Sequence, residues 1–584
     1  MSSSDIFYGT SGPRDAQIMV LGEAWGREEL AQKRPFVGAS GAELGRMLAE
    51  ASTPLPLCFR TNVIADRPPD NEMSRFFHPN AEAKANALQA VRGLHPRDNV
   101  RASLALLEQQ IRAVKPKLII ACGNYALWAL THCTTAASYA GADGAVKVPS
   151  GIESWRGSQW YASALPPDLM QTKVLPIIHP AAILRAWYNR ACTVHDLRTR
   201  IPLALRDAWR PSPPPVVLAP PDHQAAMGQL REWLARADRA PFRLAVDIET
   251  NRSLITCIGF ADSPSFAISI PLVKNGQLES YFPVEQEKQL FLLIRALLSH
   301  PAILVEGQNF SYDTQYFYRY FAVLPKLDFD TMLAHHLLFP GTPKGLDYLS
   351  SLYCEHHWYW KDDGKEWNTK GSLSELLQYN ALDCQKTFEI ATTLRKLITD
   401  MGQTEQWEEV KATAHMTQRM MFRGVKIDRS ARAEMGFNLA TAADKFSEWF
   451  TRIIPQRIFT EETGKKASTP WFQSPTQQRN TFANDFGFDL PRDKRTGNIT
   501  FGKEALGDLT RKHPEFTRLF AALSDFRSIR VFHNTFVKAP LDVDDRMRCA
   551  YNVAGTETFR FSSSENAFGS GTNLQNVPKG NEKD

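Results

Sequence analysis

The segment Leu244-Ala245-Val246-Asp247-Ile248-Glu249-Thr250 determines how the rest of the chain is interpreted. Its apolar residues predict a β-strand, in which alternate side chains face the same side. Asp247 and Glu249 would then point off one face, and two carboxylates held that close repel each other unless a cation lies between them. The alternative is an edge strand with a solvated acidic face.

Further acidic residues follow at the ends of predicted elements. Residues 258–260 open an apolar, β-rich run that extends through 267–271 and predicts a hairpin partner. Residues 305–313 combine a strand end, a turn and a third acid. Tyr379 and Asp383 stand at i and i+4, so they would be neighbours on one helix face. Four carboxylates and a tyrosine suit a two-metal phosphodiesterase, in which two divalent ions roughly 4 Å apart polarise the phosphate and generate hydroxide.

These motifs resemble, in order, those of the proofreading 3′–5′ exonuclease domain of family A (DNA polymerase I-like) DNA polymerases, in its DEDD form with tyrosine. The resemblance covers about Phe242 to Leu397 and implies an RNase H-like α/β fold. It also implies that four acids bind two Mg²⁺ or Mn²⁺ ions and that a tyrosine positions the attacking water. The residues so assigned are Asp247, Glu249, Asp313 and Asp383, with Tyr379 for the water.

Other polar residues of this region receive lesser roles. Gln308 and Asn309 lie in the second motif, so we expect them beside the metal site and in contact with DNA. His335 and His336 follow a predicted strand. Packing or surface roles are expected for both histidines, because oxygen ligands suit this class of metal.

The composition is that of an ordinary multidomain globular protein. The 584 residues are too many for one core, with 43% hydrophobic and 22% charged residues. A net charge of +5 over this length is only a weak indication of nucleic acid binding. The eight cysteines form no C-x-x-C pair, and neither a signal peptide nor a membrane span is evident. We expect free thiols in a bacterial or phage-infected host cytoplasm.

The N-terminal third predicts a parallel α/β sheet. Short apolar strands at residues 16–21, 59–64, 117–122 and 174–178 alternate with helical stretches. Each strand ends in a loop with a polar side chain, as Asn62 and His179 illustrate. Taken singly, such residues are more often turn residues or satisfied hydrogen-bonding groups.

Together these loops resemble uracil-DNA glycosylases of the thermostable, iron–sulfur-type branch. The resemblance covers about Gln17 to Trp209 and rests on Gly22–Gly26, Arg34–Gly38, Thr61–Val63, Arg67–Pro69, Gly157 and His179–Arg185. It implies an α/β sandwich with a pocket that reads a flipped base. Phe36 would stack on uracil, Asn62 would pair with its edge, and His179 would stabilise the departing base. Glu23 would position water, and Arg185 would hold a phosphate.

Two departures from that family bear on cofactor and activity. Trp25 stands where the family usually has proline, and the cysteines that bind the iron–sulfur cluster are missing, since none precedes Cys58. We therefore predict that no iron–sulfur cluster is bound. Two alternatives stay open: a working glycosylase, or a glycosylase-like fold that only scans DNA or docks.

Proline-rich sequence sets the first domain boundary. Residues 211–222 hold Pro211, Pro213–Pro215 and Pro220–Pro221, which exclude a continuous helix or central strand. The predicted organisation is a glycosylase-like domain at 1–210, a linker at 211–222, an exonuclease domain at 223–400 and a mainly α-helical, thumb-like part at 401–584.

The C-terminal part also resembles family A polymerases. Residues 423–428, 472–478 and 494–500 resemble the start of the polymerase domain and parts of its thumb. The segment 555–578 resembles the stretch that grips the primer–template backbone, the alternative being a disordered Ser/Asn-rich loop. The resemblance implies DNA binding by Arg560, Ser562, Ser563, Asn573, Gln575 and Asn576.

The chain stops six residues after Pro578, before the fingers and most of the palm of that family. We therefore expect polymerisation only with a missing partner or segment, so that the chain is either the N-terminal half of a split polymerase or a truncated gene product. The fusion of a replication polymerase with a glycosylase-like domain suggests a bacterial or bacteriophage source. Three hypotheses follow: a metal-dependent 3′–5′ exonuclease that proofreads during DNA replication, a uracil excision enzyme of DNA repair, and a non-catalytic DNA-binding half of a split polymerase.

Overall fold

The computed structural model describes residues 6–141, 144–210, 216–218, 222–274, 279–362, 372–454, 469–493 and 497–577. The chain divides into two compact units. The first holds Met1–Asp313 and Phe317–Lys411, and the second holds Thr314–Tyr316 and Ala412–Asp584. Among the described residues, no helix combines the length and the apolar character that crossing a membrane requires.

The N-terminal part of the first unit contains a five-stranded sheet with the order β2-β1-β3-β7-β6. Its strands are parallel except β6, which runs antiparallel to β7. The strands β4 and β5 pair with each other, antiparallel, in a separate two-stranded sheet. The strands are β1 (Ile18–Ala24), β2 (Phe59–Ile64), β3 (Leu118–Cys122), β4 (Thr135–Gly141), β5 (Gly144–Ser150), β6 (Trp160–Tyr161) and β7 (Lys173–Ile177). The helices are α1 (Arg27–Gln32), α2 (Ala39–Glu50), α3 (Asn80–Ala85), α4 (Asp98–Val114), α5 (Asn124–Leu130), α6 (Ile152–Trp155), α7 (Pro180–Arg185) and α8 (Asn189–Ala204).

Helices cover both faces of this sheet, which confirms the predicted parallel α/β architecture. Met19 and Leu21 of β1 belong to one core cluster, whereas Ile18 and Val20 belong to another. Alternate residues of a strand face opposite sides of its sheet, so the two clusters are the two helical layers. The carboxyl ends of the parallel strands consequently lie along one edge.

The second part of this unit is built on a six-stranded sheet with the order β13-β12-β9-β10-β11-β8. β9, β10 and β11 form an antiparallel meander, and β12 and β13 extend it in parallel. The strands are β8 (Val216–Leu218), β9 (Phe242–Asn251), β10 (Leu254–Ser263), β11 (Phe266–Pro271), β12 (Ile303–Gly307) and β13 (Leu327–Asp330). The helices are α9 (His223–Ala237), α10 (Val284–Ser299), α11 (Ser311–Phe321), α12 (Thr331–Leu338), α13 (Leu346–Tyr353) and α14 (Leu373–Asp400).

Small residues let α14 lie close to this sheet. Ala245, Ala261 and Ala267 pack against Ala381 and Cys384 in one buried cluster. A Cβ at Gly259 would come within 2.5 Å of Asn380 Oδ1. The missing side chain therefore brings one face of α14 directly over the acidic strand.

The predicted linker is partly structured. Residues 216–218 pair in parallel with Phe266–Ile268 as the edge strand β8. An edge position suits a segment flanked by prolines, because proline cannot donate to a central ladder. The linker residues 211–215 and 219–221 lie outside the described residues, as do Lys494–Thr496 of the predicted thumb and the terminal residues 578–584.

The second unit is mainly helical, as predicted for the C-terminal part. Its core is unusually aromatic, with Phe450 packed against Trp471, Phe472 and Phe526. Aromatic rings bury a large area per residue, so a small helical unit gains a dense core. The remaining elements are α15 (Thr404–Arg423), whose residues up to Lys411 belong to the first unit, β14 (Val425–Lys426), α16 (Arg429–Ile453), α17 (Pro475–Arg479), α18 (Lys503–Lys512), α19 (Thr517–Phe532), β15 (Arg546–Met547), β16 (Cys549–Asn552) and β17 (Ser562–Glu565).

Candidate active sites

Three acids from two distant segments of the chain meet beside β9. Asp247 and Glu249 lie on the same side of that strand, as its period of two predicts. Asp383 reaches them from α14, and one ligand oxygen from each acid lies within 4.8 Å of the other two. Asp383 is buried, whereas Asp247 and Glu249 keep part of their surface exposed. Three carboxylates at this spacing form a candidate centre for a hard divalent cation.

Asp313 and Tyr379 complete the predicted set. Asp313 lies in the first turn of α11, is buried, and accepts a hydrogen bond from the Ile248 backbone N–H at 3.2 Å. Tyr379 precedes Asp383 by one turn of α14. Asp313 thus contacts the strand between the first two acids.

Burial and neighbouring carboxylates raise the pKa of three of these acids. Burial, and then the Asp383 carboxylate, raise the pKa of Asp247 to about 7. Burial and the charge of Asp247 raise the pKa of Glu249 and of Asp313 well above their ordinary values. These carboxylates therefore repel one another when they are ionised, and a bound cation would relieve that repulsion.

Three further side chains contact this cluster, and the sequence analysis assigned no role to them. Asn380 Nδ2 donates to Asp247 Oδ2 at 2.8 Å. Trp360 Nε1 donates to Asp383 Oδ1 at 2.6 Å. Lys361 Nζ donates to Asp383 Oδ2 at 2.6 Å and to Tyr379 Oη at 2.8 Å. Asn380 stands inside a motif already recognised, whereas no sequence periodicity links residues 360 and 361 to Asp383.

The polar residues after β12 are occupied within the domain. The Gln308 amide donates to the Lys344 carbonyl at 2.8 Å and accepts a hydrogen bond from Thr331 Oγ1. Asn309 has a φ of 53°, a left-handed conformation that asparagine tolerates, and its N–H donates to Asp330. These contacts brace the turn that leads to Asp313, and DNA contact by Gln308 and Asn309 stays a prediction.

Both histidines are buried in the packing of α12. His335 makes hydrogen bonds with Tyr353 Oη and Thr342 Oγ1, each at 2.7 Å. Burial lowers the pKa of His335 to about 4, which keeps its ring neutral. His336 is 1% exposed.

The predicted uracil-binding residues lie around one cavity of about 640 Å³ in the N-terminal part of the first unit. The cavity lies at the carboxyl ends of β1, β2 and β7, where a parallel sheet presents its loops. Its lining includes Glu23, Phe36, Asn62, His179 and Arg185.

The backbone holds two of these side chains in fixed orientations. Glu23 Oε1 accepts from the Tyr125 N–H at 3.0 Å. His179 caps α7, and its Nδ1 accepts from the Ala181 N–H at 3.1 Å. A neutral imidazole that accepts at Nδ1 carries its proton on Nε2, which is then free to donate.

Close packing holds Phe36 and Asn62. A Cβ at Gly22 would lie 2.0 Å from Asn62 Oδ1 and 2.9 Å from Phe36 Cζ, so glycine is required there. Phe36 has a φ of 57°, and its N–H donates to Glu29. Asn62 Nδ2 is buried and has no hydrogen-bond partner among the described residues. A ligand acceptor would satisfy that amide, since leaving it unpaired costs free energy.

The predicted primer–template residues lie in the second unit, around the β16–β17 hairpin. Ser563 Oγ donates to Asn573 Oδ1 at 2.6 Å, and Asn573 caps a short 3₁₀ turn that contains Gln575 and Asn576. The Arg560 N–H donates to Thr556 Oγ1 at 3.0 Å. Ser562 begins β17. Their contact with DNA stays a prediction.

Two protein families match this chain. Residues 9–198 match the uracil DNA glycosylase superfamily, and residues 226–399 match the 3′–5′ exonuclease family. The chain therefore contains a glycosylase-like domain followed by a 3′–5′ exonuclease domain. Both resemblances found in the sequence are confirmed at this level.

Three relatives of this chain are type-4 uracil-DNA glycosylases. The type-4 uracil-DNA glycosylase of Pyrobaculum aerophilum is 37% identical over 106 residues, which is 18% of this chain and 43% of that enzyme. That of Archaeoglobus fulgidus is 29% identical over 178 residues, 30% of this chain and 69% of that enzyme. That of Sulfurisphaera tokodaii is 32% identical over 111 residues, 19% of this chain and 41% of that enzyme. The chain thus spans about two fifths of two of these relatives.

A solved structure also overlaps part of the fold. It is the POL domain of Pol1 from M. smegmatis in complex with DNA primer-template and dNTP. The overlap covers 61% of this chain and 56% of that one, with 18% identity and a TM-score of 0.43. A likeness of that size does not establish a shared fold.

Proposed function

We propose that the acid cluster is the active site of a metal-dependent 3′–5′ exonuclease that hydrolyses terminal phosphodiesters of DNA. The observation that carries the proposal is the convergence of Asp247, Glu249 and Asp383, with Asp313 bonded to the strand between the first two. The family match over residues 226–399 supports it. Proofreading during DNA replication is the role that this activity favours.

The donor set fits two hard divalent ions. All four candidate ligands are carboxylates, and burial together with the neighbouring carboxylates raises the pKa of three of them. Oxygen ligands of this kind select Mg²⁺ or Mn²⁺ over softer metals. Bound there, the ions would polarise the phosphate and lower the pKa of water.

The chain's own groups would orient the attacking water. Lys361 donates to Tyr379 Oη, so the phenol's own proton remains available to a water or phosphate oxygen. Burial raises the pKa of Tyr379, which keeps the phenol protonated at neutral pH. Asn380 holds the Asp247 carboxylate through Oδ2 and leaves Oδ1 for a ligand.

The test is digestion of 5′-labelled single-stranded DNA with Mg²⁺. The wild-type chain should shorten the strand from its 3′ end, and Asp247→Asn should abolish the shortening. Asp383→Asn should act like Asp247→Asn, whereas Asp400→Asn, an exposed acid of the same helix, should behave as wild type. If Asp247→Asn shortened the strand at the wild-type rate, the assignment of the acid cluster as the exonuclease active site would be wrong.

A second proposed function is uracil excision in the N-terminal cavity. The observation that favours it is the buried Asn62 amide, which has no hydrogen-bond partner among the described residues and lies beside Phe36 in a cavity that Glu23 and His179 also line. Phe36 would stack on the base, the Asn62 amide would donate to uracil O4, and His179 Nε2–H would stabilise charge on the departing base. Arg185, which also lines the cavity, would hold a phosphate.

Uracil-containing single strands should acquire alkali-labile sites on incubation with the chain. Asn62→Asp replaces the amide donor with an acceptor and should abolish them. The exposed amide Asn99→Asp is the matched control. Absence of any product from the wild-type chain would leave a scanning or docking domain as the alternative, and absence of an iron–sulfur cluster stays a prediction.

The remaining expectations stand as proposals. The boundaries 1–210, 211–222, 223–400 and 401–584 define four segments that limited proteolysis would test. Primer–template binding by Arg560, Ser562, Ser563, Asn573, Gln575 and Asn576 would be tested by filter binding of substituted chains. Co-purification from the native source would reveal a second polypeptide that carries polymerase fingers and palm.

A further inference from the structure

The segment Cys354–Asp362, which we term the bridging segment, ends inside the acid cluster. Trp360 donates to one oxygen of Asp383, and Lys361 donates to the other. Trp360 is 2% exposed. The bridging segment therefore places a fixed ammonium group among the carboxylates that we assign to metal binding.

The glycosylase-like domain holds the opposite end of this segment. Arg200 on α8 donates to the carbonyls of Ser351, Cys354 and Glu355 at 2.7, 3.0 and 2.6 Å. These carbonyls lie at the C-terminal end of α13, where the helix dipole favours a cation. Arg200 is 2% exposed, so these hydrogen bonds are shielded from water.

Further contacts of the same domain continue along the segment. The Gln159 N–H donates to the His357 carbonyl at 2.8 Å. Trp155 packs edge-on against Tyr359, with ring centroids 5.6 Å apart. Trp209 stacks on His356. The glycosylase-like domain thus contacts the bridging segment from Cys354 to Tyr359.

On its other side the bridging segment forms hydrogen bonds with α14, the helix that carries Tyr379 and Asp383. Lys386 Nζ donates to the His356 carbonyl at 2.7 Å. Glu389 accepts from the Glu355 N–H at 2.8 Å. The segment is therefore enclosed between the glycosylase-like domain and the helix of the acid cluster.

We propose that the glycosylase-like domain is a structural part of the exonuclease site: through Arg200 it holds the bridging segment so that Lys361 stays against Asp383 and Tyr379. This inference rests on the exonuclease function proposed above. Lys361 and Trp360 are positioning residues in this account, and the domain acts on the exonuclease whether or not it excises uracil.

The Lys361 ammonium should lower the affinity of the acid cluster for a metal ion. An ammonium bonded to Asp383 repels an incoming divalent cation, so it weakens metal binding while fixing the carboxylate. Releasing Lys361 should therefore tighten metal binding. Damage to the site would have the opposite effect, because displaced ligands bind a metal more weakly.

The experiment measures the Kd for Mn²⁺ of the full-length chain without DNA, by electron paramagnetic resonance of free Mn²⁺. Lys361→Met should tighten binding by about tenfold, and Arg200→Met by about threefold. Arg198→Met, on the same helix but exposed, is the matched control and should leave the Kd unchanged. Trp155→Leu, which loosens the segment at Tyr359, should act in the direction of Arg200→Met and serves if Arg200→Met does not fold.

A double-substitution cycle decides whether Arg200 acts through Lys361. In the Lys361→Met background, Arg200→Met should have no further effect on the Kd. A multiplicative effect, or weaker binding in either single variant, would overturn the proposal. Asp383→Asn tests the exonuclease assignment separately: if this variant still binds Mn²⁺ as the wild type does, the assignment fails. If Asp383→Asn loses Mn²⁺ binding but Lys361→Met and Arg200→Met leave the Kd unchanged, only the role of the glycosylase-like domain is rejected.

Discussion

In the glycosylase-like domain, backbone N–H groups hold Glu23 and His179 in place, and the Asn62 Nδ2 group has no hydrogen-bond partner among the described residues. In the exonuclease domain, by contrast, Asp247, Glu249 and Asp383 lie close together, and burial and the neighbouring carboxylates raise the pKa of Asp247 and Glu249. Backbone hydrogen bonds and close packing organise the first cavity, whereas positive charge would relieve the repulsion among the carboxylates of the second. The difference predicts that the two activities respond to different perturbations.

Metal removal should separate the sites most strongly. Chelation by EDTA should lower the exonuclease rate by about a thousandfold or more, because the Lewis acid supplies several kcal/mol of transition-state stabilisation. Uracil excision should be unaffected, since none of its assigned groups binds a metal. The measurement is both activities of one preparation with EDTA, followed by restoration with Mg²⁺. Loss of both activities together would contradict the comparison.

Substitution of His179 should give the reverse separation. His179→Ala should lower the rate of uracil excision by about a hundredfold, because it removes a donor aimed at developing negative charge. The exonuclease rate should stay at the wild-type value. His132→Ala, an exposed histidine of the same domain, serves as control. Equal effects of His179→Ala and His132→Ala would reject the assigned role.

Asp330 tests how the acid site is braced. Its carboxylate accepts from the N–H groups of Asn309, Phe310, Met332 and Leu333 at 2.9 to 3.2 Å. Asp330→Ala should lower the free energy of unfolding by about 3 kcal/mol, since buried N–H groups lose their acceptor. Asp222→Ala, an exposed cap with one such bond, should cost about 1 kcal/mol. Chemical denaturation would measure the free energy of unfolding of both variants. Equal losses in Asp330→Ala and Asp222→Ala would show that Asp330 has no special role in stabilising this turn.

The smallest expected effect is the pH dependence that Asp247 confers on stability in EDTA. Its pKa is about 7 in the fold against 3.8 for the free group, so between these values the folded state binds more protons than the unfolded state. The contribution of Asp247 to the free energy of unfolding therefore falls as pH rises from about 4 to about 7, by roughly 2 kcal/mol after allowance for partial exposure. Thermal unfolding of the wild type and of Asp247→Asn at a series of pH values measures this contribution. The difference between them should grow toward pH 7, and a constant difference would contradict the raised pKa.

Local periodicity predicted much of the molecule. The period of two in β9 placed Asp247 and Glu249 on one face, and the i to i+4 spacing placed Tyr379 and Asp383 on one helix. The alternation of apolar strands and helices predicted the parallel sheet of the N-terminal domain. These features depend on neighbours in the chain, which a sequence displays directly.

Contacts between distant segments were not predictable. Lys361 reaches Tyr379 and Asp383 across 18 and 22 residues with no shared periodicity. Arg200 reaches Glu355 across 155 residues, between two domains that a proline-rich segment separates in sequence. Residues 216–218 pair as an edge strand because the exposed edge of β11 offers unpaired backbone groups. Such contacts follow from tertiary packing, not from local pattern.

The central claim is that Asp247, Glu249 and Asp383, with Asp313 beside them, bind divalent metal ions in one site. The most direct measurement is the anomalous diffraction of a Mn²⁺-soaked crystal of this chain. The account predicts anomalous peaks bonded to carboxylate oxygens of Asp247, Glu249 and Asp383, about 2.2 Å away as oxygen ligands require. A crystal with Mn²⁺ bound elsewhere and no peak among these carboxylates would contradict it.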